Sequence, residues 1–306
     1  MKRAFSVTRI AIAVVLLAGA AGAQAETTAT VVQSGSGNQM FIEQVDVPDS
    51  LINAAITQIG NNNRAGDPVA GTAGIRQLGS NFDPNAVITQ IGNNNTAGIT
   101  QQDAFRPGAI VTQTGERNTA SVTQIELFQV DAFVTQTGNR NAVTVSQTNS
   151  ADFEVYATQE GNDNRITATQ HLSGHQGAYI EQYGDRNTAT TQQQSVDFAE
   201  LNLTQTGNNN VASATQSDGM FIVTNIEQTG NDNVANSSLI GHDQEQSIVQ
   251  TGNNNRGTIT QNGDTSTADL VQTGNHNVGS ISQTGSGLVA ALTQVGNNNH
   301  GAIVQH

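Results

Sequence analysis

The sequence predicts an all-β fold, a cross-β-like β-solenoid of about 12 to 13 stacked strand-turn-strand rungs, from a long repeat and an alternating apolar pattern. The pattern Gln-x-Gly-x-x-Asn begins twelve times, in steps of 23 residues from Gln90 to Gln228 and of 22 residues from Gln228 to Gln294. A fixed period of this size is typical of architectures in which each repeat buries its apolar face against its neighbours. The twelve patterns begin at Gln33, Gln58, Gln90, Gln113, Gln136, Gln159, Gln182, Gln205, Gln228, Gln250, Gln272 and Gln294.

Apolar and polar residues alternate on both sides of the Gly-x-x-Asn segment of each repeat. This alternation predicts two strands in each rung. Val111 and Val134 lie two residues before a first glutamine, and Val122 and Val145 lie two residues before a second one. Threonine often fills the intervening position. Alternation with period two predicts strands with one buried face, and β-branched residues pack well on a pleated sheet.

The Gly-x-x-Asn segment predicts a tight turn between the two strands. Glycine and asparagine both tolerate a positive φ, which a chain reversal of this kind requires. The predicted turn glycines are Gly92, Gly115, Gly138, Gly161, Gly184, Gly207, Gly230, Gly252, Gly274 and Gly296.

A second glutamine follows the first by eleven residues in most rungs. Both glutamines lie two residues after an apolar position, so the alternating pattern predicts that their side chains face the core. A buried amide is costly unless it is hydrogen-bonded, but identical amides one rung apart can pair along the axis, as in cross-β assemblies. We therefore predict stacking ladders of Gln90, Asn95, Gln101, Gln113, Asn118, Gln124, Gln136, Asn141, Gln147, Gln159, Asn164, Gln170, Gln182, Asn187, Gln193, Gln205, Asn210, Gln216, Gln250, Asn255, Gln261, Gln272, Asn277, Gln283, Gln294, Asn299 and Gln305.

Two rungs depart from this spacing. Leu239 stands where the rung of Gln228 should carry its second glutamine. In the rung of Gln58 an insertion loop near residues 64–72 delays the second glutamine to Gln77.

The amino terminus predicts a secretory signal peptide over residues 1–25, followed by the solenoid over residues 26–306. Lys2, Arg3 and Arg9 precede or flank an apolar run, and Ala23-Gln24-Ala25 forms a small-residue cleavage site. The apolar run is too short to remain as a membrane anchor, so we expect no transmembrane anchor after cleavage.

Charge and composition narrow the range of functions. Without Lys2, Arg3 and Arg9, 8 basic residues face 25 acidic ones, a net charge of −17, which argues against nucleic acid as a partner. The chain has no cysteine, so no disulfide supports the fold. No cluster with catalytic, cofactor-binding or metal-binding spacing stands out, and His171 and His175 fall in a variable turn as isolated side chains. We therefore expect a protein that is not an enzyme and has no cofactor.

The repeat resembles the curlin repeat of bacterial curli fibre subunits. The resemblance rests on Gln-x-Gly-x-x-Asn-x-Ala-x-x-x-Gln, as in Gln90, Gly92, Asn95, Ala97 and Gln101, and covers nearly all of residues 31–306. It implies a secreted subunit that polymerises with copies of itself into extracellular amyloid fibres at the bacterial cell surface, in biofilm matrix, adhesion and surface colonisation. It also implies a further curli-type subunit and an outer-membrane export apparatus as partners.

Two other functions fit the same repeat. One is a cell-surface adhesin or binding β-solenoid that does not polymerise. The other is an ice-binding solenoid, because Thr-Gln-Thr recurs at 112–114, 135–137 and 204–206, although Glu160, Glu181 and Glu227 interrupt the column. Phe133, Tyr156 and Tyr179 recur on successive rungs and predict a lateral contact between filaments or with a surface.

Overall fold

The computed structural model describes residues 11–17, 27–45, 52–67, 72–79 and 83–306, and every regular element in these ranges is a strand. The strands are β1 (Ala11–Leu17), β2 (Thr27–Ser34), β3 (Gln39–Val45), β4 (Ile52–Ile59), β5 (Arg64–Asp67), β6 (Thr72–Ala73), β7 (Ile75–Leu78), β8 (Asn85–Asn93), β9 (Thr96–Gln102), β10 (Gly108–Glu116), β11 (Thr119–Asn139), β12 (Ala142–Asn162), β13 (Arg165–Tyr183), β14 (Thr188–Asn208), β15 (Val211–Asn231), β16 (Val234–Ile240), β17 (Gln244–Asn253), β18 (Arg256–Asn262), β19 (Thr267–Asn275), β20 (Val278–Thr284), β21 (Val289–Val295) and β22 (His300–Gln305).

Successive rungs pair in parallel and in register, one repeat apart. β10 pairs with β11 so that Gln113 lies opposite Gln136, and β17 pairs with β19 so that Gln250 lies opposite Gln272. The parallel sheet forms a β-solenoid of about 11 turns. The predicted all-β solenoid is therefore confirmed, with slightly fewer turns than the 12 to 13 expected, because twelve first strands define only eleven steps from one rung to the next.

The second turn does not interrupt the strands in the middle of the solenoid. From β11 to β15, each strand of up to 21 residues holds the second half of one rung and the first half of the next. Residues with positive φ, such as Glu126 and Gln129, bend β11 between these halves. The sequence predicted a separate turn here, because the residues at this position vary and no single residue type marks the bend in the 23-residue rungs.

The interior is one narrow core that runs the length of the solenoid. Val111, Val122, Val134 and Val145 are almost completely buried in it, together with an alanine column that includes Ala109. Two smaller apolar clusters lie under the second turns, Ala104–Leu127–Val130 and Val196–Ala199–Ile222–Leu239. Because a rung is only two strands wide, the small alanines let the facing sheets approach while the valines and isoleucines fill the space between them.

The insertion in the second rung folds back on itself. β5 and β6 pair in an antiparallel sense, and β7 then rejoins the solenoid, where Gln77 lies between Gln44 and Gln101. The predicted signal peptide lies outside the described residues except for β1, whose backbone pairs in parallel with β3. The described part of the chain has no helix with the length and apolar character needed to cross a membrane.

Candidate stacking site: the amide ladders

The first glutamines of the rungs form an unbroken ladder along the solenoid. The Nε2 of each glutamine donates to the Oε1 of the glutamine in the next rung, from Gln33 to Gln294, over N···O distances of 2.7–3.2 Å. Nearly all of these side chains are fully buried. The ladder therefore solves the desolvation problem that an inward-facing amide poses in an apolar core.

From Gln58 to Gln294 the second hydrogen of each of these amides also has a partner. Gln113 Nε2 donates to the Thr96 carbonyl at 3.0 Å, and Gln136 Nε2 donates to the Thr119 carbonyl at 3.1 Å. Both carbonyls belong to the first residue of the facing strand one rung earlier. Each of these glutamines thus joins its own strand to the facing strand of the preceding rung as well as to the next rung.

The second glutamines form a parallel ladder that has one interruption. It runs from Gln44 through Gln77 to Gln216, and again from Gln261 to Gln305, over N···O distances of 2.7–3.0 Å. Leu239 occupies the missing place and is fully buried. Gln216 Nε2 donates instead to Thr224 Oγ1 at 3.0 Å, and Gln261 Oε1 is buried without a hydrogen-bond partner among the described residues.

The turn asparagines stack through the backbone rather than through a simple side-chain ladder. Asn118 Nδ2 donates to the Gly138 carbonyl of the next rung at 2.8 Å, while its Oδ1 accepts from the Asn141 amide nitrogen at 3.0 Å. The same two bonds recur from Asn95 to Asn277, at 2.6–2.9 Å and 2.9–3.0 Å. Each asparagine therefore satisfies turn backbone groups that would otherwise be buried and unpaired.

The turn glycines are required by both conformation and space. All ten predicted glycines have φ between +110° and +124°. A Cβ on Gly138 would lie 1.9 Å from the Gly161 carbonyl oxygen of the next rung, closer than any van der Waals contact. Gly296 differs, because a Cβ there would meet only Asn299 Nδ2, at 3.5 Å, among the described residues.

A further ladder, the outer ladder, was not predicted from the sequence. It is formed by the residue after the turn glycine in most rungs. In Asn139–Asn162 and Asn253–Asn275 the two side chains bond at N···O distances of 2.9 and 3.0 Å. The same contact joins Asn162 to Asp185, Asn208 to Asn231, Asn231 to Asn253 and Asn275 to Asn297. The signal was present, because asparagine recurs at this position in most rungs.

The ladders give the solenoid a direction. Along each ladder the amide nitrogen points to the next rung, and Gln33 Oε1 and Gln44 Oε1 at the beginning are buried without a hydrogen-bond partner in the described residues. At the other end Gln294 Nε2 donates to the Val278 carbonyl at 2.9 Å and Gln305 Nε2 donates to the Val289 carbonyl at 3.1 Å. The first rung therefore offers acceptors and the last rung offers donors.

The predicted lateral residues form an aromatic column on the outer face. Ring centroids are 4.9 Å apart between Phe133 and Tyr156 and 5.2 Å apart between Tyr156 and Tyr179, with the rings nearly parallel. Tyr179 is 39% exposed. Burial, followed by the charge of Glu154, raises the pKa of the Tyr156 and Tyr179 hydroxyls. These hydroxyls therefore stay protonated at neutral pH.

Beside this column lies an acidic surface that was not predicted from the sequence. Asp131 is opposite Glu154 in the sheet, and His175 lies 3.5 Å from Asp152 and 3.2 Å from Asp197, stacked on Phe198 at 4.5 Å. The interpretation of His175 as an isolated turn residue is therefore wrong, because the repeat places it between carboxylates from the rungs above and below. Asp131, Asp152, Glu154 and His175 line a depression of about 400 Å³ at Gly177.

Comparison with known families agrees with this geometry. Residues 241–274 match the family model of the curlin associated repeat. The repeat of residues 241–274 is a curlin associated repeat. The matched segment contains Gln250, Gln261 and Gln272, whose side chains belong to the two ladders. A search of curated proteins found no match.

Proposed function

We propose that this curlin-repeat protein is a structural, non-enzymatic subunit of extracellular curli-like amyloid fibres, which grow by head-to-tail stacking of rungs. The observation that carries the proposal is the direction of the glutamine ladders. The acceptors at Gln33 and Gln44, which have no partner among the described residues, match the amide donors of Gln294 and Gln305. A second copy stacked on the last rung would therefore continue both ladders with the same contacts that join rungs within one chain.

The sheet edges support the same geometry. Along the described solenoid β21 and β22 pair only with β19 and β20, and Val289 and Val295 are 70% and 73% exposed. An unpaired, apolar strand edge is a template for strand addition. In the fibre these edges would be covered by the β2–β3 rung of the next copy, from which cleavage of the predicted signal peptide would remove β1. Biofilm matrix, adhesion and colonisation at the cell surface are the roles that such a secreted fibre would serve.

The first experiment follows assembly of the chain over residues 26–306. The protein is diluted from denaturant, thioflavin fluorescence is recorded with and without preformed seeds, and the product is examined by fibre diffraction. We expect growth that seeds accelerate, with a meridional spacing of about 4.7–4.8 Å. A soluble β-rich monomer that seeds do not convert would overturn the proposal.

Gly296→Ala tests the end-addition geometry directly. Within one chain the new Cβ meets no backbone, but in a stacked copy it would face a turn carbonyl, as Gly138 faces Gly161. We expect the variant to fold, to carry only the strain of alanine at φ +110°, and to elongate seeds much more slowly than the parent chain. Gly287→Ala is the matched control, because Gly287 also has positive φ but has nothing within 4 Å and lies in a second turn. Equal elongation by both variants would refute head-to-tail stacking on the last rung.

A second function, a binding solenoid or adhesin that does not polymerise, is favoured by one observation. Phe198 and Phe221 stack at 5.1 Å on the second turns and are 45% and 54% exposed. Such an exposed aromatic pair suits a contact with another molecule. A stable monomer in the seeding experiment would favour this function over the fibre.

A further inference from the structure

Charged side chains of opposite sign lie on the two edges of the solenoid, and they occupy the same places in a series of four successive rungs. On the first-turn edge, the residue before the turn asparagine is Arg117, Arg140, Asp163 and Arg186 on four successive rungs. All four have φ between +56° and +60°, and the three arginines are exposed. Arginine thus occupies the first, second and fourth places of this column, which we name the arginine column.

On the opposite edge, where the first strand leaves the second turn, a column of carboxylates has the same spacing. Sheet register places Asp131 opposite Glu154, Glu154 opposite Gly177, and Gly177 opposite Glu200. Carboxylates therefore occupy the first, second and fourth places of this second column, which we name the acidic column. Its third place is a glycine, beside the depression of about 400 Å³.

The acidic column begins one rung later than the arginine column. Arg117 belongs to the rung of Gln113, whereas Asp131 belongs to the rung of Gln136. The rungs of any two copies have the same spacing, about 4.8 Å. A shift of one rung therefore brings all members of the two columns level at once.

We propose that two copies of the chain associate side by side, parallel and shifted by one rung, with the arginine column of one against the acidic column of the other. The pairs would be Arg117 with Asp131, Arg140 with Glu154, and Arg186 with Glu200. Asp163 would face Gly177, the place in the acidic column that has no carboxylate, where the Tyr179 ring lies against the glycine. The inference extends the proposed function, because it states how filaments join laterally.

The spacing also selects the relative direction of the two copies. In an antiparallel neighbour the order of the four places is reversed, so that its charged residues occupy places one, three and four. Only two of the three charged residues in each column could then lie level with a residue of opposite charge. A parallel neighbour matches all three pairs. The contact joins different edges of the two copies, so it is heterologous and can continue from filament to filament.

Contacts inside one molecule leave these groups available. Arg140 donates from Nε and Nη2 to Asp163 at 2.7 and 2.6 Å, but its guanidinium has five N–H donors, and the side chain is 53% exposed. Burial and then the charge of Glu154 raise the pKa of the Asp131 carboxyl, so the acidic column contains a repulsion that an arriving guanidinium relieves. The aromatic column of Phe133, Tyr156 and Tyr179 lies two residues along the same strands and would be covered by the neighbour.

A single exposed ion pair contributes little, so the proposed contact depends on repetition. Each copy in a filament presents the same two columns. Weak contacts in one copy then act together along the filament, as in any multivalent attachment. Lateral association should accordingly weaken at high salt, since exposed charges are screened.

Cross-linking tests the register of the two copies. Because the chain has no cysteine, each introduced cysteine is the only thiol that can react. A chain with Arg140→Cys is mixed with a chain with Glu154→Cys and treated with a short bifunctional maleimide. We expect this pair to give several-fold more heterodimer than Arg140→Cys mixed with Asp131→Cys, one rung away, or with Glu200→Cys, two rungs away. Equal yields from the three mixtures would overturn the proposal, and this measurement works on soluble chains as well as on filaments.

Charge reversal tests the contact in filaments by electron microscopy. The variant with Arg117→Glu, Arg140→Glu and Arg186→Glu should form single filaments that no longer bundle. Bundling should return when Asp131→Arg, Glu154→Arg and Glu200→Arg are added to the same chain. The control with Arg64→Glu, Arg76→Glu and Arg256→Glu changes the net charge equally and should still bundle.

The outcomes separate this inference from the proposed function. Filaments with the meridional spacing but with bundling that ignores the reversals would overturn the lateral contact and leave head-to-tail growth standing. Loss of bundling in the control as well would show that net charge decides association, which would also overturn it. Absence of filaments in the parent chain would overturn the proposed function, and the cross-linking yields would then decide the lateral contact alone.

Discussion

Replacing one buried ladder glutamine with leucine should lower the free energy of unfolding far more than the small change in side-chain size suggests. Gln159 is fully buried, accepts from Gln136 Nε2 at 3.0 Å and donates to Gln182 Oε1 at 2.8 Å. Gln159→Leu keeps nearly the same volume but removes both ladder bonds, together with the bond from Gln159 Nε2 to the Ala142 carbonyl at 3.3 Å. One amide hydrogen of Gln136 and the Oε1 of Gln182 would then be buried without a partner.

The magnitude follows from these two groups. A buried donor or acceptor that loses its partner costs about 1–3 kcal/mol, so two of them cost about 2–6 kcal/mol. The new leucine does not offset this, because the orphaned groups lie directly above and below it. Leu239 shows what a tolerated leucine requires, since there Thr224 Oγ1 accepts from Gln216 and Ile222 packs in the same apolar cluster.

The assay is urea denaturation of the soluble chain combined with native-state hydrogen exchange, which resolves single rungs in a protein that unfolds by neighbouring units. Thr158→Val on the outer face of the same strand is the control and should stay within about 0.5 kcal/mol of the parent. If Gln159→Leu destabilised the protein no more than Thr158→Val, the amide ladder would not hold the rungs together.

Two further predictions concern the turn and the acidic column. Gly161→Ala places a Cβ 2.0 Å from the Gly184 carbonyl oxygen at φ +124°, so we expect a loss of about 3–5 kcal/mol and faster hydrogen exchange in both adjoining rungs. Exchange unchanged there would contradict the close stacking of the turns. Asp131→Asn should raise the thermal midpoint at pH 7, because the pKa of the native Asp131 carboxyl is raised above its ordinary value of 3.8 and ionisation therefore opposes folding. That gain should shrink as the pH falls through the raised pKa and vanish below about 3.8; a gain that persisted there would have a cause other than charge.

Some of the stacking site could be predicted because it repeats. The interval from Gln113 to Gln136 gives the rung, and its parity with Val111 and Val134 shows that the glutamines face the core. The hydrogen bonds of the turn asparagines could not be predicted from the sequence. Asn118 reaches the backbone of Gly138, and no sequence pattern separates that contact from a side-chain ladder.

Other features arise only when distant segments meet. Asp152, His175 and Asp197 are unremarkable in sequence, since each lies in a variable turn. The replacement of Gln by Leu239 is visible in sequence, but its compensation by Thr224 and Ile222 is not. These contacts depend on the path of the second turn, where residue identity is free to vary because the chain there is not held between two stacked glutamines.

The all-β class, the repeat, the buried face and the turn glycines of this protein follow from the order of its amino acids alone. Each of these features is local geometry repeated at a fixed interval, so the same residue types recur at the same positions of every rung. The direction of the amide ladders, the way the asparagines hold the turns and the one-rung offset between the charged edges became visible only in the folded chain. They depend on which atoms of one rung meet which atoms of the next, and a period in the sequence does not carry that information.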